Sequence, residues 1–429
     1  MDSCKPYTTI AGPPRLCAIL TSMTPLLLML ACAELTPETA APAFPDLPDP
    51  ELESAEGWSD DGDQLFNRLA VHQVEITLDA DDLTALAGEP YTYVQGDVTF
   101  DGLALDPVGV RLKGHIGSFR ELSGKAGFKI DLNRYFPDQK LYGQKQLTLN
   151  NAVTDCSYSK EHLGYTLYRA AGVPVPRNGF AWVRVNGQDY GLYVLTETPD
   201  DQLLERHFEE PDGNLYDGKY LYYDNGGYQL MDFWPALAPY FEQEEGEDVA
   251  NADIVAFTSE VETSVYQPDF YGRMSSVLNW ERQHTHVAID QLIGHLDGYS
   301  MNTNNYRVYF DPADQGRAVL LPFDLDYAFL SANVWGMNWS YPRARLTSAC
   351  WADAECIEAQ RESMDWVLQN AYDENELQQV IDEVEALITP YVEADPRREC
   401  NMAQVGNYRA DLRRWVRARP EQMEDFWEL

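Results

Sequence analysis

Basic residues are scarce in this chain: 31 Lys and Arg stand against 70 Asp and Glu in 429 residues, a formal charge of −39. So negative a surface repels nucleic acid and anionic lipid, which excludes partners held by a general basic face. None of the seven cysteines forms a Cys-x-x-Cys pair, so the usual thiolate zinc spacing is absent. There is no internal repeat of solenoid or propeller period. Disorder of the whole is excluded by what is present, 45% hydrophobic and 12% aromatic residues with only 24% charged.

The N-terminal region reads as an export leader over residues 1–31. Lys5 and Arg15 precede the apolar run Leu26-Leu27-Leu28-Met29-Leu30-Ala31, which is too short to cross a bilayer and stops at Cys32. Small Ala31 before Cys32 resembles a lipoprotein processing site, with Cys32 the lipidated residue; simple secretion is the alternative. Residues 32–63 read as a disordered acidic tether, because Ala33–Asp63 is rich in Pro and carries ten acidic and no basic side chains. Four cysteines remain beyond it, and the short spacing of Cys350 and Cys356 makes them the expected disulfide.

The rest, residues 64–429, reads as one large α+β domain, β-rich at first and helical at the end. Val74, Ile76 and Leu78 alternate with polar residues, as do Val108, Val110 and Leu112, and Phe128, Ile130 and Leu132. Phe180–Val185, Asn186-Gly187 and Tyr190–Leu195 spell a β-hairpin. Helices are expected over about Ser159–Ala171 and His284–Leu296, and from Ala354 onward. Charge is blocked as well. Between Arg111 and Lys145 there are eight basic and three acidic residues, a candidate anion site, whereas Glu197–Glu262 holds 18 acidic residues against Arg206 and Lys219. The part of that stretch over about 217–262 reads as a solvated insertion.

A second hairpin is expected from Tyr306–Phe310 and Arg317–Phe323. Pairing Phe310 near Arg317 puts Asn305 near Pro322, so Asn302 and Asn305 lie at the same open end as Asp324 and Asp326. Asp297, read as ending the preceding helix, approaches the same end. Carboxylates and amides converging in this way suit Mg²⁺ or Mn²⁺. A divalent cation beside a basic strip is what a nucleoside triphosphate requires. His295-Leu296-Asp297, with Asn302 five residues beyond the aspartate, followed by a hairpin and Asp324-Leu325-Asp326, also keeps the order of protein-kinase motifs. A similar Asp-x-Asp occurs in metal-dependent glycosyltransferases.

Further strings extend the pattern: Arg111-Leu112-Lys113-Gly114, the strand holding Lys129, Leu149-Asn150-Asn151 with Asp155, Gly172-Val173-Pro174, Asn186-Gly187 with Tyr190-Gly191-Leu192-Tyr193 and Glu197, Gly213-Asn214-Leu215-Tyr216, Asn304-Asn305-Tyr306 and Pro322-Phe323-Asp324. Together, in order over about 108–330, they resemble the spore coat protein H (CotH) kinase family. The resemblance implies an atypical protein-kinase-like fold that uses ATP and Mg²⁺ to phosphorylate Ser or Thr of exported or surface proteins. It implies Asp297 as the aspartate orienting the acceptor hydroxyl and Asp324, with Asp326 beside it, as metal ligand. Asn302 or Asn305 is the second ligand; kinase spacing favours the former and the Asn-Asn-Tyr string the latter. Lys129 is the first candidate for the phosphate lysine, Arg111 and Lys113 the next. Ser118, in Lys113-Gly-His-Ile-Gly-Ser, stands where a glycine-rich loop of kinase pattern is missing, and Glu197 reads either as a core hydrogen-bonding residue or as a candidate on the adenine or lysine side. His295 reads as a packing residue. A non-catalytic surface binding or assembly protein with this fold, and a metal-dependent glycosyltransferase, are the competing expectations.

Overall fold

The computed structural model describes residues 62–429 apart from 224–225, 248–249 and 332–333; the expected leader, Cys32 and most of the tether lie outside the described residues. The last two tether positions fall inside a helical turn, α1 (Gly62–Leu65), where Asp63 pairs with Arg177 at 3.2 Å. There follow β1 (Val71–Thr77), α2 (Ala80–Gly88), β2 (Val94–Phe100), β3 (Leu103–Lys113), β4 (Gly127–Asp131), β5 (Gln146–Asn150), α3 (Lys160–Ala170), β6 (Asn178–Val185) and β7 (Gln188–Glu197). The seven strands close a barrel in the order β1-β2-β3-β4-β5-β7-β6, antiparallel except where β1 meets β6.

Period-two alternation builds the barrel, because successive side chains point to opposite faces of a strand. Val74, Ile76, Val108, Val110, Phe128 and Ile130 join one buried cluster with Ala181 and Val183. Phe180, Trp182, Leu192 and Val194, on the opposite face of the same hairpin, join a second cluster with the helices. Asn186 and Gly187 both hold positive φ, 49° and 74°, which a tight two-residue turn demands of its central pair.

The second half contains α4 (Asp201–His207), β8 (Asn214–Asp217), β9 (Leu221–Tyr222), β10 (Tyr228–Gln229), β11 (Glu242–Glu245), α5 (Ala252–Ser264), α6 (Phe270–Met274), α7 (Trp280–Ile293), α8 (Tyr299–Asn302), β12 (Tyr306–Asp311), β13 (Arg317–Pro322), α9 (Arg345–Ala352), α10 (Ala354–Asn370), α11 (Glu374–Ala394) and α12 (Met402–Trp427). A second sheet runs β11-β8-β12-β13. The architecture is thus mixed α+β in one domain, β-rich at the N-terminal side and helical at the C-terminal side.

Three sequence expectations shift. The acidic stretch is more than a solvated insertion: β11 pairs with β8, and Phe233, Phe241, Ile254, Phe257 and Val261 enter one core with Tyr306, Val308 and Phe310. Helix α7 starts at Trp280, where the Asn279 side chain accepts from Arg282 N at 3.1 Å, and stops at Gly294 in the left-handed conformation. Asp297 therefore lies in the loop after the helix rather than at its end. The second hairpin pairs one residue away from expectation, with Asp311 opposite Arg317 and Tyr306 opposite Pro322. Asn305 still faces the following residue, since its carbonyl accepts from Phe323 N at 3.0 Å.

Both disulfides join residues of this body. Cys350 pairs with Cys356, as their spacing suggests, and Cys156 pairs with Cys400.

Candidate active site

Between the barrel and the second sheet lies a cleft of about 1090 Å³ lined by residues of both, among them Arg111, Lys113, Lys129, Asp297, Asn305 and Asp324. The C-terminal end of β3 contributes Lys113. It is followed by Gly114 and Gly117, with φ of 103° and 88°, so the loop to Ser118 turns where other residues would be strained. A Cβ on Gly117 would lie 2.1 Å from the Tyr327 hydroxyl, so the loop passes directly over the segment after Asp324.

The opposite wall is built by two turns. Past Gly294, Leu296 is fully buried and fixes the chain, Asp297 follows, and the single turn of α8 brings Asn302 back onto it. The Asp297 carboxylate accepts from Asn302 Nδ2 at 2.5 Å, Asn304 Nδ2 at 3.2 Å and Asn305 Nδ2 at 3.0 Å. Burial raises its pKa to about 6 against the opposing pull of the Asn302 and Asn304 amides.

After β13, Leu325 is fully buried among α3 and α7 residues, whereas Asp324 and Asp326 both line the cleft. Asp324 adopts φ +52°, Asn305 φ +50° and Thr303 φ +43°; left-handed non-glycine residues clustered at one site mark a conformation imposed by their surroundings. Tyr165 Oη accepts from Asp324 N at 3.1 Å, and Asn305 Nδ2 reaches the Asp324 carbonyl at 3.2 Å.

Lys113 Nζ lies 2.8 Å from Asp324 Oδ2. Burial alone would raise the Asp324 carboxyl; the Lys113 ammonium overcomes that and holds it below its usual value. Asp326 is pushed well up by burial and by Asp324, and it accepts a bond from Thr154. Asp324 Oδ1 is buried without a hydrogen-bond partner among the described residues. A carboxylate oxygen left open beside a second carboxyl and an asparagine is a hard, oxygen-rich donor set that fits Mg²⁺ or Mn²⁺.

Most expected site residues therefore meet. Asp297, Asn302, Asn305, Asp324, Asp326, Arg111, Lys113, Lys129 and Ser118 all line the cleft. Of the two lysines, Lys113 touches Asp324, whereas the Lys129 ammonium makes no hydrogen bond or ion pair with a described residue. Glu197 lies in a buried hydrogen-bonding network rather than on the adenine or lysine side. It is fully buried behind the cleft wall and engaged by Arg177 at 2.8 Å and Arg206 at 2.6 Å, which hold its carboxyl low despite burial. His295 is buried, as a packing residue should be, and burial lowers its pKa to about 4.

Sequence reasoning missed Glu161 and Tyr220. Glu161, in the first turn of α3, is buried beneath Lys113 and raised to about 7 by burial and by Asp324; Asn150 and Thr196 bond it at 2.9 and 2.8 Å. Its position on the first helix after the lysine-bearing strands was the available signal. Nothing in the spacing around Tyr220 marks it.

Most of this mixed α+β domain, the cleft loops after β3 included, matches a known family. The CotH kinase protein model covers residues 110–423, and the chain belongs to that family. It is similar to inner spore coat protein H of Bacillus subtilis (strain 168), with 21% identity over 331 residues, 72% of this chain and 84% of that protein. Among solved structures it is similar to a Shewanella oneidensis MR-1 toxin–antitoxin complex of HipA, HipB and operator DNA, at 11% identity, 82% coverage of each chain and a TM-score of 0.34.

Proposed function

We propose that the protein is a phosphotransferase of protein-kinase-like fold that uses ATP with Mg²⁺ or Mn²⁺ to phosphorylate Ser or Thr hydroxyls of exported or surface proteins. The observation that carries this reading is one connected set: Lys113 on Asp324, and Asn305 bonded to both Asp324 and Asp297. Phosphoryl transfer needs little beyond positioning and charge neutralisation, and these residues supply both. Lys113 binds phosphate oxygens, with Lys129 and Arg111 adding positive potential along the same cleft. Asp297 orients the acceptor hydroxyl and takes its proton, a role suited to a carboxylate titrating near 6. Asp324 and Asn305, with Asp326 adjacent, would hold the metal, which neutralises phosphate charge when bound. Two disulfides support an exported location, for which Cys32 is the proposed lipid anchor.

Incubation of the purified protein with γ-labelled ATP and Mg²⁺ or Mn²⁺ tests the reading. Metal-dependent transfer to a protein acceptor is expected, reduced about 10²–10⁴-fold in Asp297→Asn. Absence of metal-dependent nucleotide binding overturns it, and preference for a sugar nucleotide over ATP points instead to glycosyl transfer.

A further inference from the structure

We infer that Tyr220 is an intramolecular phosphoryl acceptor, its phenol hydroxyl already seated on Asp297 where an acceptor hydroxyl belongs. The inference rests on the phosphotransferase reading above and names a substrate of that same site. Tyr220 Oη donates to Asp297 Oδ1 at 3.3 Å and accepts a bond from Asn302 Nδ2. The one carboxylate assigned to orient an acceptor thus holds a hydroxyl of its own chain.

The ring is delivered there by local structure. At the end of β8 the Gly218 N–H donates to the Tyr306 carbonyl at 3.0 Å, and a Cβ on Gly218 would lie 2.2 Å from the Tyr306 ring. Only glycine lets the chain press so closely on β12, and that approach turns the next residues into the cleft. Lys219 is tied to Asp217 and Glu242. Tyr228 stacks on the Tyr220 ring at 5.0 Å and 23°, and Tyr222 meets it edge-on at 6.2 Å. A phenol held between aromatic partners and hydrogen-bonded at its tip has lost the freedom that a diffusing acceptor must give up. Such proximity outweighs a preference for Ser or Thr in trans.

The step balances. The Tyr220 O–H bond breaks with its proton passing to the Asp297 carboxylate. An O–P bond forms at the γ-phosphorus of ATP, and the bond to the β-phosphate oxygen breaks to release ADP. Burial and the adjoining Asp297 both disfavour the free phenolate, so proton removal belongs to the transfer itself.

The test is tandem mass spectrometry of the full chain after incubation with Mg²⁺ and ATP, with casein present as an unrelated acceptor. The expected result is one phosphoryl group on Tyr220, formed at a rate unchanged by protein dilution and absent from Tyr220→Phe. An isotope-tagged Asp324→Ala copy in the same tube should remain unlabelled at Tyr220. Transfer to casein with Tyr220 unmodified overturns the inference and leaves the phosphotransferase reading standing. Labelling of the Asp324→Ala copy, or a rate that rises with protein concentration, overturns the intramolecular geometry. No transfer to either acceptor overturns both.

Discussion

Lys113 and Lys129 stand on adjacent strands of the barrel, yet their surroundings divide their work. Burial opposes the charge of both. At Lys113 the Asp324 carboxylate overcomes that cost and raises the ammonium pKa, whereas at Lys129 burial prevails over the pull of Glu244 and lowers it. On the proposed phosphotransferase reading, a phosphate arriving at Asp324 therefore meets Lys113 first. Lys113→Met should weaken ATP binding by about 10–100-fold, the loss of a hydrogen bond between charged groups, with Lys129→Met weakening it much less. Titration calorimetry with ATP and Mg²⁺ ranks the two, and the reverse order would reassign the phosphate lysine.

His162 gives a residue-scale prediction away from the cleft. It is buried and stacked on Phe180 at 4.4 Å, and burial lowers its pKa to about 3. Unfolded, it titrates near 6.5, so below that pH the unfolded state binds the extra proton and the native state loses stability as pH falls. His162→Phe removes this dependence. Relative to wild type, the variant should gain ~2 kcal/mol on going from pH 7 to pH 5, about 1.5 units below the unfolded pKa. Urea unfolding of both proteins at the two pH values measures the difference, in which all other titrating groups cancel.

At the scale of elements, the join between barrel and helices is a buried charge pair. Lys125, in the loop before β4, lies 2.5 Å from Asp395 at the end of α11, and Tyr158 bonds the ammonium at 3.0 Å. Asp395 also accepts from Leu192 N at 3.1 Å, and it sits so close to β7 that a Cβ on Gly191 would fall 2.0 Å from its Oδ1. Lys125→Met leaves that carboxylate buried and uncompensated, which should cost about 3–5 kcal/mol of unfolding free energy in urea. A cost below 1 kcal/mol would mean that the pair is weakly desolvated.

Elements with local punctuation are the ones legible in the sequence. Helix α3 begins after Ser159 and ends where Gly172 adopts φ +74°, with Val173 N bonded to the Tyr168 carbonyl; each signal lies within one turn of the boundary. Helix α7 misleads because Leu296 continues the apolar spacing of Leu292 and Ile293 past Gly294. A one-residue error in the register of β12 and β13 arises because the Pro312–Asp314 turn draws Asp311 into the ladder. The grouping of the cleft aspartates survives these errors. Asp297, Asn305 and Asp324 are short steps in sequence from the hairpin ends, so a shift by one residue leaves them at the same end. Glu161 and Tyr220 reach the site only through the packing of distant elements, which no local spacing encodes.

For the whole molecule, barrel closure and the meeting of its two halves are long-range facts. The parallel pairing of β1 with β6 joins Val71 to Phe180, with no turn between them to announce it. Disulfides act at the same scale, because a cross-link stabilises chiefly by restricting the unfolded chain, and by more when it closes a longer loop. Cys156–Cys400 spans 244 residues and joins the barrel side to the start of α12; Cys350–Cys356 spans 6 and joins adjacent helices. The loop-entropy relation gives roughly 5 kcal/mol for the long loop and roughly 2 kcal/mol for the short one. Cys156→Ser/Cys400→Ser should therefore lose more stability than Cys350→Ser/Cys356→Ser, by about 3 kcal/mol in urea unfolding under non-reducing conditions. Equal losses would show that native packing around each bridge, rather than restriction of the unfolded chain, sets its contribution.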